Sequence, residues 1–112
     1  MLIHEFVALH KGSISTHVSY DVIMQTNFVS VPDEVILANI KVFITGFSSY
    51  WDSFESPNEG LNYHGITIIP PDELPHFLHA LNRLETEGSI KDLIMLCNDA
   101  ISSNRHIVHF GI

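Results

Sequence analysis

Apolar and polar residues alternate near the start of the chain in the pattern of a β-hairpin. In residues 14–24 one parity holds mostly apolar residues, namely Ile14, Thr16, Val18, Tyr20, Val22 and Met24. This is the period of a half-buried strand. Residues 2–10 also have the composition of a strand, and Gly12 lies in the short connection between the two segments. The pattern predicts a β-hairpin over residues 2–24.

The next segment has the period of an amphipathic helix. Pro32, Asp33 and Glu34 suit a first helical turn, because proline fits there and carboxylates complement the positive end of the helix dipole. Apolar residues then recur at spacings of four, three and four, at Ile36, Ile40, Phe43 and Phe47. This predicts a helix over about 32–46, although the run of β-branched and aromatic residues at 42–45 leaves a strand as the alternative.

Two further helices are predicted in the second half of the chain. Over residues 71–85 one face is apolar and consists of Leu74, Phe77, Leu78, Leu81 and Leu84. From Ser89 onwards a capping pattern with Asp92 precedes a second apolar stripe, made of Ile90, Leu93, Ile94, Cys97 and Ile101.

Two apolar segments complete the set of elements. Residues 61–69 predict a buried strand that stops at Pro70, and residues 105–112 predict a short last strand. The order is therefore ββαβααβ. It predicts one α+β domain over residues 1–112, with a mainly antiparallel four-stranded sheet and about three helices on one face.

Length and hydropathy place limits on this domain. A chain of 112 residues with 46% hydrophobic composition can bury one core. Its apolar runs are short, and Glu5 interrupts the first of them, so we expect neither an export signal nor a membrane span. Cys97 is the single cysteine and lies on an apolar helical stripe, where it predicts an inert core residue. A reducing cytoplasm fits this cysteine usage best.

The charge balance restricts the kind of partner. Five Lys and Arg against thirteen Asp and Glu give a formal net charge of −8, and the five cations are scattered along the sequence. Binding to nucleic acid or to an anionic membrane is therefore not expected, whereas a basic protein would be attracted. Protonation of the eight histidines would bring the charge to about zero, so this attraction should weaken at low pH.

One loop joins aromatic rings to carboxylates. Residues 48–63 hold the candidate partner-binding residues Tyr50, Trp51, Asp52, Phe54, Glu55, Glu59 and Tyr63. No Lys or Arg occurs from Val42 to Asn82. Aromatic side chains dominate interface hot spots, and carboxylates steer a cationic partner, so the loop predicts a binding surface. The alternative is that Trp51 and Phe54 have only a structural role and pack against one end of the core.

No pattern predicts a complete catalytic or metal site. His76 and His79 have a spacing that could share a metal, but the third ligand would have to be His64, His106 or His109. We therefore predict no metal, no cofactor and no catalytic residue.

One arrangement leaves an enzyme as an alternative. His106 or His109 could pair with His4 or His10 as the acid and base of a phosphodiester-cleaving enzyme. Such an enzyme would have to attract a polyanion, and this chain has few cations to do so.

The strand-to-helix unit of residues 63–81, with the closing strand of residues 106–112, resembles the C-terminal half of bacterial immunity proteins, particularly those of contact-dependent growth inhibition. The resemblance covers about half of the chain and transfers no functional residue by position. It implies a protein that binds a cognate toxin domain, often a basic nuclease, and blocks its active site or substrate groove. A histidine-based metal protein, a small hydrolase and a homo-oligomeric structural module are the alternatives.

Overall fold

The computed structural model of the chain describes residues 2–14, 28–84 and 88–112. This part of the chain contains six strands: β1 (Ile3–Leu9), β2 (Val29–Pro32), β3 (Ser48–Trp51), β4 (Pro57–Glu59), β5 (Ile66–Ile69) and β6 (His106–Phe110). It contains four α-helices: α1 (Asp33–Ala38), α2 (Ile40–Ile44), α3 (Leu74–Leu81) and α4 (Gly88–Ser102). A short 3-10 turn, Lys11–Ser13, follows β1.

The six strands form one antiparallel sheet. Their order across the sheet is β2-β1-β6-β5-β3-β4. Strand β6 lies between β1 and β5, and Val108 faces Val7 on one side and Ile68 on the other. All five residues of β6 are buried, so the last strand along the sequence lies in the interior of the sheet.

The expected count of elements is wrong, although the domain is α+β. We expected four strands and three helices in the order ββαβααβ, and the structure has a six-stranded sheet with four helices. Three of the described strands were not predicted: β2, which directly precedes the first helix, and β3 and β4, which lie within the segment that we interpreted as a loop. Strands β3 and β4 are four and three residues long, and β4 begins with a proline, so neither gives a clear alternation of apolar and polar residues.

The predicted N-terminal hairpin is described only in part. Its second strand, at 15–24, lies outside the described residues. Within the described residues, β1 pairs with β2, where Phe6 faces Val29, and with β6, where Phe6 faces His109.

The helix predicted over 32–46 is two short helices. Asn39 separates α1 from α2 with backbone angles of φ −127° and ψ 32°, which are not helical. Its side-chain Nδ2 donates a hydrogen bond to the carbonyl oxygen of Val35 at 2.9 Å. Asparagine commonly competes in this way with the helical backbone, and the chain turns at this point.

The helices cover one face of the sheet, which we call the helix face. The main core joins strand residues of that face, such as Phe6 and Ile107, to the buried residues of all four helices. A smaller cluster on the opposite face, the second face, contains Val7, Ile68 and Val108 and no helical residue within the described part of the chain. None of the helices in the described residues has the length and apolar character needed to span a bilayer.

Candidate functional site

Strands β3 and β4 and the turn between them form a hairpin, residues 48–59, at one edge of the sheet. Strand β3 pairs with β5, and β4 is the last strand of the sheet. The connecting turn is held by Asp52, whose backbone lies in the left-handed region at φ 65° and whose Oδ1 accepts a hydrogen bond from the Ile66 amide at 3.2 Å. All three residues of β4 are exposed, so the hairpin presents an open sheet edge.

The four aromatic residues of the candidate surface do not lie together. Tyr50 and Phe54 pack together with their ring centroids 5.5 Å apart, and both lie against the smaller cluster of the second face. Successive residues of a strand point to opposite faces, so Trp51 points away from Tyr50. Its Nε1 donates to the Gly60 carbonyl at 3.0 Å. Tyr63 lies apart from these three and donates its hydroxyl proton to Asp33.

The three carboxylates of the candidate surface are exposed on this hairpin. Asp52 and Glu59 each accept one backbone hydrogen bond, Glu59 from the Gly46 amide at 3.1 Å. Glu55 is also exposed. None of the three forms an ion pair with a described Lys, Arg or His. Their charges are therefore available to a partner.

Beside the hairpin, Tyr50 and Phe54 form one wall of a cleft of about 360 Å³. The opposite walls come from distant parts of the sequence and include Lys11, Asp72 and His106. The ring of His106 meets that of Phe54 edge-on, with centroids 5.6 Å apart. No local sequence pattern links these residues to the hairpin, because β6 and the 3-10 turn come near it only through the pairing of the sheet.

His106 is unusual among the residues of this cleft. It is 8% exposed, and its Nδ1 has no hydrogen-bond partner among the described residues. Burial, followed by the nearby Lys11 ammonium, lowers the pKa of His106, while Asp72 acts in the opposite direction. The ring is therefore held toward its neutral form, in which one nitrogen is an acceptor.

On the helix face, two buried histidines form a chain of hydrogen bonds. His4 and His109 are both 0% exposed, and Nδ1 of His4 lies 2.8 Å from Nε2 of His109. Nε2 of His4 lies 3.0 Å from Asp33 Oδ1, and Nδ1 of His109 lies 3.1 Å from Thr67 Oγ1. His109 is thus paired with His4, as one interpretation of the sequence allowed, but the two rings are closed off from solvent.

Hydrogen-bond chemistry assigns a direction to this chain. Asp33 can only accept, so Nε2 of His4 donates to it. With both rings neutral, Nε2 of His109 donates to Nδ1 of His4, and the Thr67 hydroxyl donates to Nδ1 of His109. The Asn62 amide donates to Thr67 Oγ1 at 2.7 Å and completes the chain. Every polar atom of the two rings is thereby satisfied, which is what burial of two histidines requires.

The chain of hydrogen bonds shifts several pKa values. Burial, with a smaller effect of His4, lowers the pKa of His109 to about 3. The hydrogen bond from Tyr63, and then that from His4, lowers the pKa of Asp33. The same contact with Asp33 raises the pKa of Tyr63 to about 12. At neutral pH an ionised Asp33 carboxylate therefore lies at one end of the arrangement and a neutral His109 lies on the other side of His4.

These shifts predict an acid-labile fold. Below about pH 6.5 the unfolded chain protonates His109, whereas the folded protein resists until about pH 3. The unfolded state then binds more protons, so the free energy of unfolding should fall as the pH falls through this window, by up to about 1.4 kcal/mol per pH unit for this group. Above about pH 6.5, His109 should not change the unfolding free energy with pH. Asp33 adds a further loss that begins near its ordinary pKa of 3.8 and continues down to its lower folded pKa.

Urea unfolding between about pH 7.5 and pH 4.5 measures this dependence. The His109→Leu variant should show a flatter pH profile than the unmodified protein. Equal slopes for the two proteins would mean that His109 is not the group that titrates.

The other histidines that the structure describes do not assemble a metal site. His76 and His79 are both exposed on α3 and line a shallow cleft together with Lys41 and Arg83. His64 is exposed near Ile112. Among the described residues, no three His, Cys, Asp or Glu side chains are grouped so that they could hold a metal ion. Cys97 is fully buried in α4, and burial raises the pKa of its thiol to about 12.

Comparison with known proteins gives no match: no family model, no curated protein and no solved structure is similar to this chain.

Proposed function

We propose that this protein is an immunity-type inhibitor, which binds a basic partner protein, such as a cognate nuclease-type toxin domain, and blocks its active site or substrate groove. The observation that carries the proposal is the position of Asp52, Glu55 and Glu59. All three are exposed on the hairpin at the sheet edge, without an ion pair to a described residue.

The charge of the whole chain supports a basic partner. The net charge of −8 produces a field that attracts cations over several ångströms and speeds diffusional encounter. Carboxylates at the rim of an interface act mainly on this association step. A partner surface rich in Lys and Arg therefore fits the hairpin better than a neutral one.

The hairpin also offers contact area. Tyr50, Trp51 and Phe54 are half-buried, so each leaves part of a ring accessible beside the carboxylates. Such rings lose little entropy on binding and are enriched among hot spots. The free edge of β4 could in addition accept a strand of the partner, but Pro57 removes one amide donor from that edge. Side-chain contacts therefore carry the proposed interface.

The proposed compartment is the cytoplasm. A single buried thiol suits a reducing environment and needs no disulfide partner. An immunity protein of this kind acts where an incoming toxin would reach its target.

Affinity capture from an extract of the native host tests the proposal. Three forms of the protein serve as bait: the unmodified chain, the hairpin variant Asp52→Asn/Glu55→Gln, and the control Asp92→Asn/Asp99→Asn. The control removes the same two charges from exposed positions on α4. In the hairpin variant, the asparagine that replaces Asp52 keeps an acceptor for the Ile66 amide and tolerates the left-handed backbone.

We expect the unmodified chain and the control to retain a basic protein that the hairpin variant loses, and about 0.5 M salt to release it. Inhibition of that protein's own activity at a one-to-one ratio completes the test. The proposal fails if all three baits retain the same proteins, or if the retained protein stays active in the complex.

A further inference from the structure

We infer that the cleft beside the hairpin is a socket for an arginine side chain of the basic partner, and that Lys11 fills part of this socket in the free protein. This inference rests on the proposed function and names the contact through which the partner would be recognised. It concerns the cleft lined by Lys11, Tyr50, Phe54, Asp72 and His106.

The shape and the walls of the cleft suit one long side chain. Its volume of about 360 Å³ is near the lower end of the range for ligand pockets, which is about 300–1,000 Å³. Tyr50 and Phe54 supply two aromatic rings that meet edge to face at an angle of 61°. Pro70 and Pro71 add apolar surface from the turn after β5. The other lining residues, Lys11, Asp72, Asn104 and His106, are polar, so the cleft joins apolar walls to groups that can form hydrogen bonds.

The protein already places a cation of its own on this surface. The ammonium of Lys11 lies 5.7 Å from the centroid of the Phe54 ring, which is the distance of a cation–π contact. Lys11 is exposed and lies in the short turn after β1, so its side chain can leave the ring without disturbing the core. A contact that the free protein makes with its own cation is one that a partner's cation can replace.

The charges around the cleft favour a cation over an anion. The positive charge of Lys11 and the negative charge of Asp72 cancel while both side chains line the cleft. When Lys11 leaves, the Asp72 carboxylate and the negative faces of the two rings remain. Asp72 is exposed and forms no ion pair with a described residue, so it is available to a guanidinium.

The orphan nitrogen of His106 favours arginine over lysine. His106 lines the cleft, and its Nδ1 is buried and lacks a hydrogen-bond partner among the described residues. A guanidinium carries five N–H donors in one plane, so it can pair with Asp72, stack on a ring and still keep a donor for His106 when the side chains of the cleft adjust to the ligand. A lysine ammonium is more strongly hydrated and cannot stack.

Titration with Nα-acetyl-arginine amide, followed by nuclear magnetic resonance of the backbone amides, tests the socket without the partner. The neutral isostere Nα-acetyl-citrulline amide is the ligand control. We expect saturable shifts around Phe54, Asp72 and His106 with the arginine compound only. Lys11→Met should tighten binding about 2- to 5-fold, because the ligand no longer has to displace a cation–π contact. Asp72→Asn should weaken binding by about the same factor.

Each variant has a matched control on α4. Lys91→Met and Asp92→Asn change the net charge by the same amount at exposed positions far along the sequence from the cleft. They correct for the effect of charge on ligand attraction. The inference is overturned if Lys11→Met and Lys91→Met bind the arginine compound with the same affinity. It is also overturned if the citrulline compound binds as well as the arginine compound, or if no saturable shift is seen at the cleft. Lys11→Gln repeats the measurement if the methionine variant does not fold.

The outcome for the socket is separable from that for the proposed function. Arginine binding in the cleft without any basic partner in the capture experiment would support the socket and remove the proposed function. Capture of a basic partner whose affinity is the same for Lys11→Met and Lys91→Met, together with no arginine binding, would leave the function and remove the socket.

Discussion

Removal of residues 107–112 should abolish folding. These residues include four of the five positions of β6, the strand that joins β1 to β5. Their loss would remove the burial of Ile107, Val108 and Phe110, which together contribute about 5–9 kcal/mol at about 1.5–3 kcal/mol each. That equals much of the total stability of a small domain, which is about 5–15 kcal/mol. It would also leave the facing edges of β1 and β5 unpaired.

Circular dichroism and thermal unfolding measure the result. The shortened chain should give no cooperative transition and should aggregate through its open strand edges. Removal of Ile112 alone is the control, because it keeps β6 and costs the hydrogen bond from the Ile112 amide to the Tyr63 carbonyl. A soluble chain of residues 1–106 that melts cooperatively would contradict the central role of β6.

His109→Leu should cost about 2–5 kcal/mol of unfolding free energy at neutral pH. Leucine is of similar bulk but leaves Nδ1 of His4 and the Thr67 hydroxyl without their hydrogen-bond partner inside the core. Each buried polar group left in this way costs about 1–3 kcal/mol. The variant also loses the contact between the rings of His109 and Phe6, whose centroids are 4.9 Å apart.

Urea unfolding measures this loss. An unchanged slope of the unfolding free energy against urea concentration would show that the folded and unfolded states keep their compactness. His79→Leu is the control, because His79 is exposed on α3 and its replacement should change stability by less than about 0.5 kcal/mol. A similarly small change for His109→Leu would show that the hydrogen-bond chain contributes little to stability.

The sequence predicted those elements whose apolar period is long and regular. Helix α4, Gly88–Ser102, contains the whole predicted stripe from Ile90 to Ile101. Strand β5 was predicted as part of residues 61–69, and β6 as part of residues 105–112. In each case the side chains that face the core repeat at one fixed spacing, which local sequence can reveal.

The elements that local sequence missed depend on distant partners. Strand β3 exists because Tyr50 pairs with Ile68 and with Pro57, and neither contact leaves a periodic pattern in four residues. The division of the helix at Asn39 likewise interrupts a stripe that continues from Ile36 to Ile40 on either side. An apolar period therefore predicted which side is buried but not where the backbone turns.

Strand parity marks the positions of the two buried histidines. His4 shares its strand parity with Phe6 and Ala8, and His109 shares its parity with Ile107, so both stand at core-facing positions. The 2.8 Å distance between Nδ1 of His4 and Nε2 of His109 depends on the register of β1 with β6, and no local pattern sets this register. The contact between Lys11 and Phe54 also depends on tertiary pairing, so local sequence does not predict the cleft.

The most direct test of the central claim is the association rate of the captured partner with three forms of this protein, measured at two salt concentrations. The account predicts that Asp52→Asn/Glu55→Gln slows association roughly 3- to 10-fold at low salt, while Asp92→Asn/Asp99→Asn stays close to the unmodified chain and high salt brings the three rates together. Equal rates for the two double variants at low salt would contradict recognition through the hairpin.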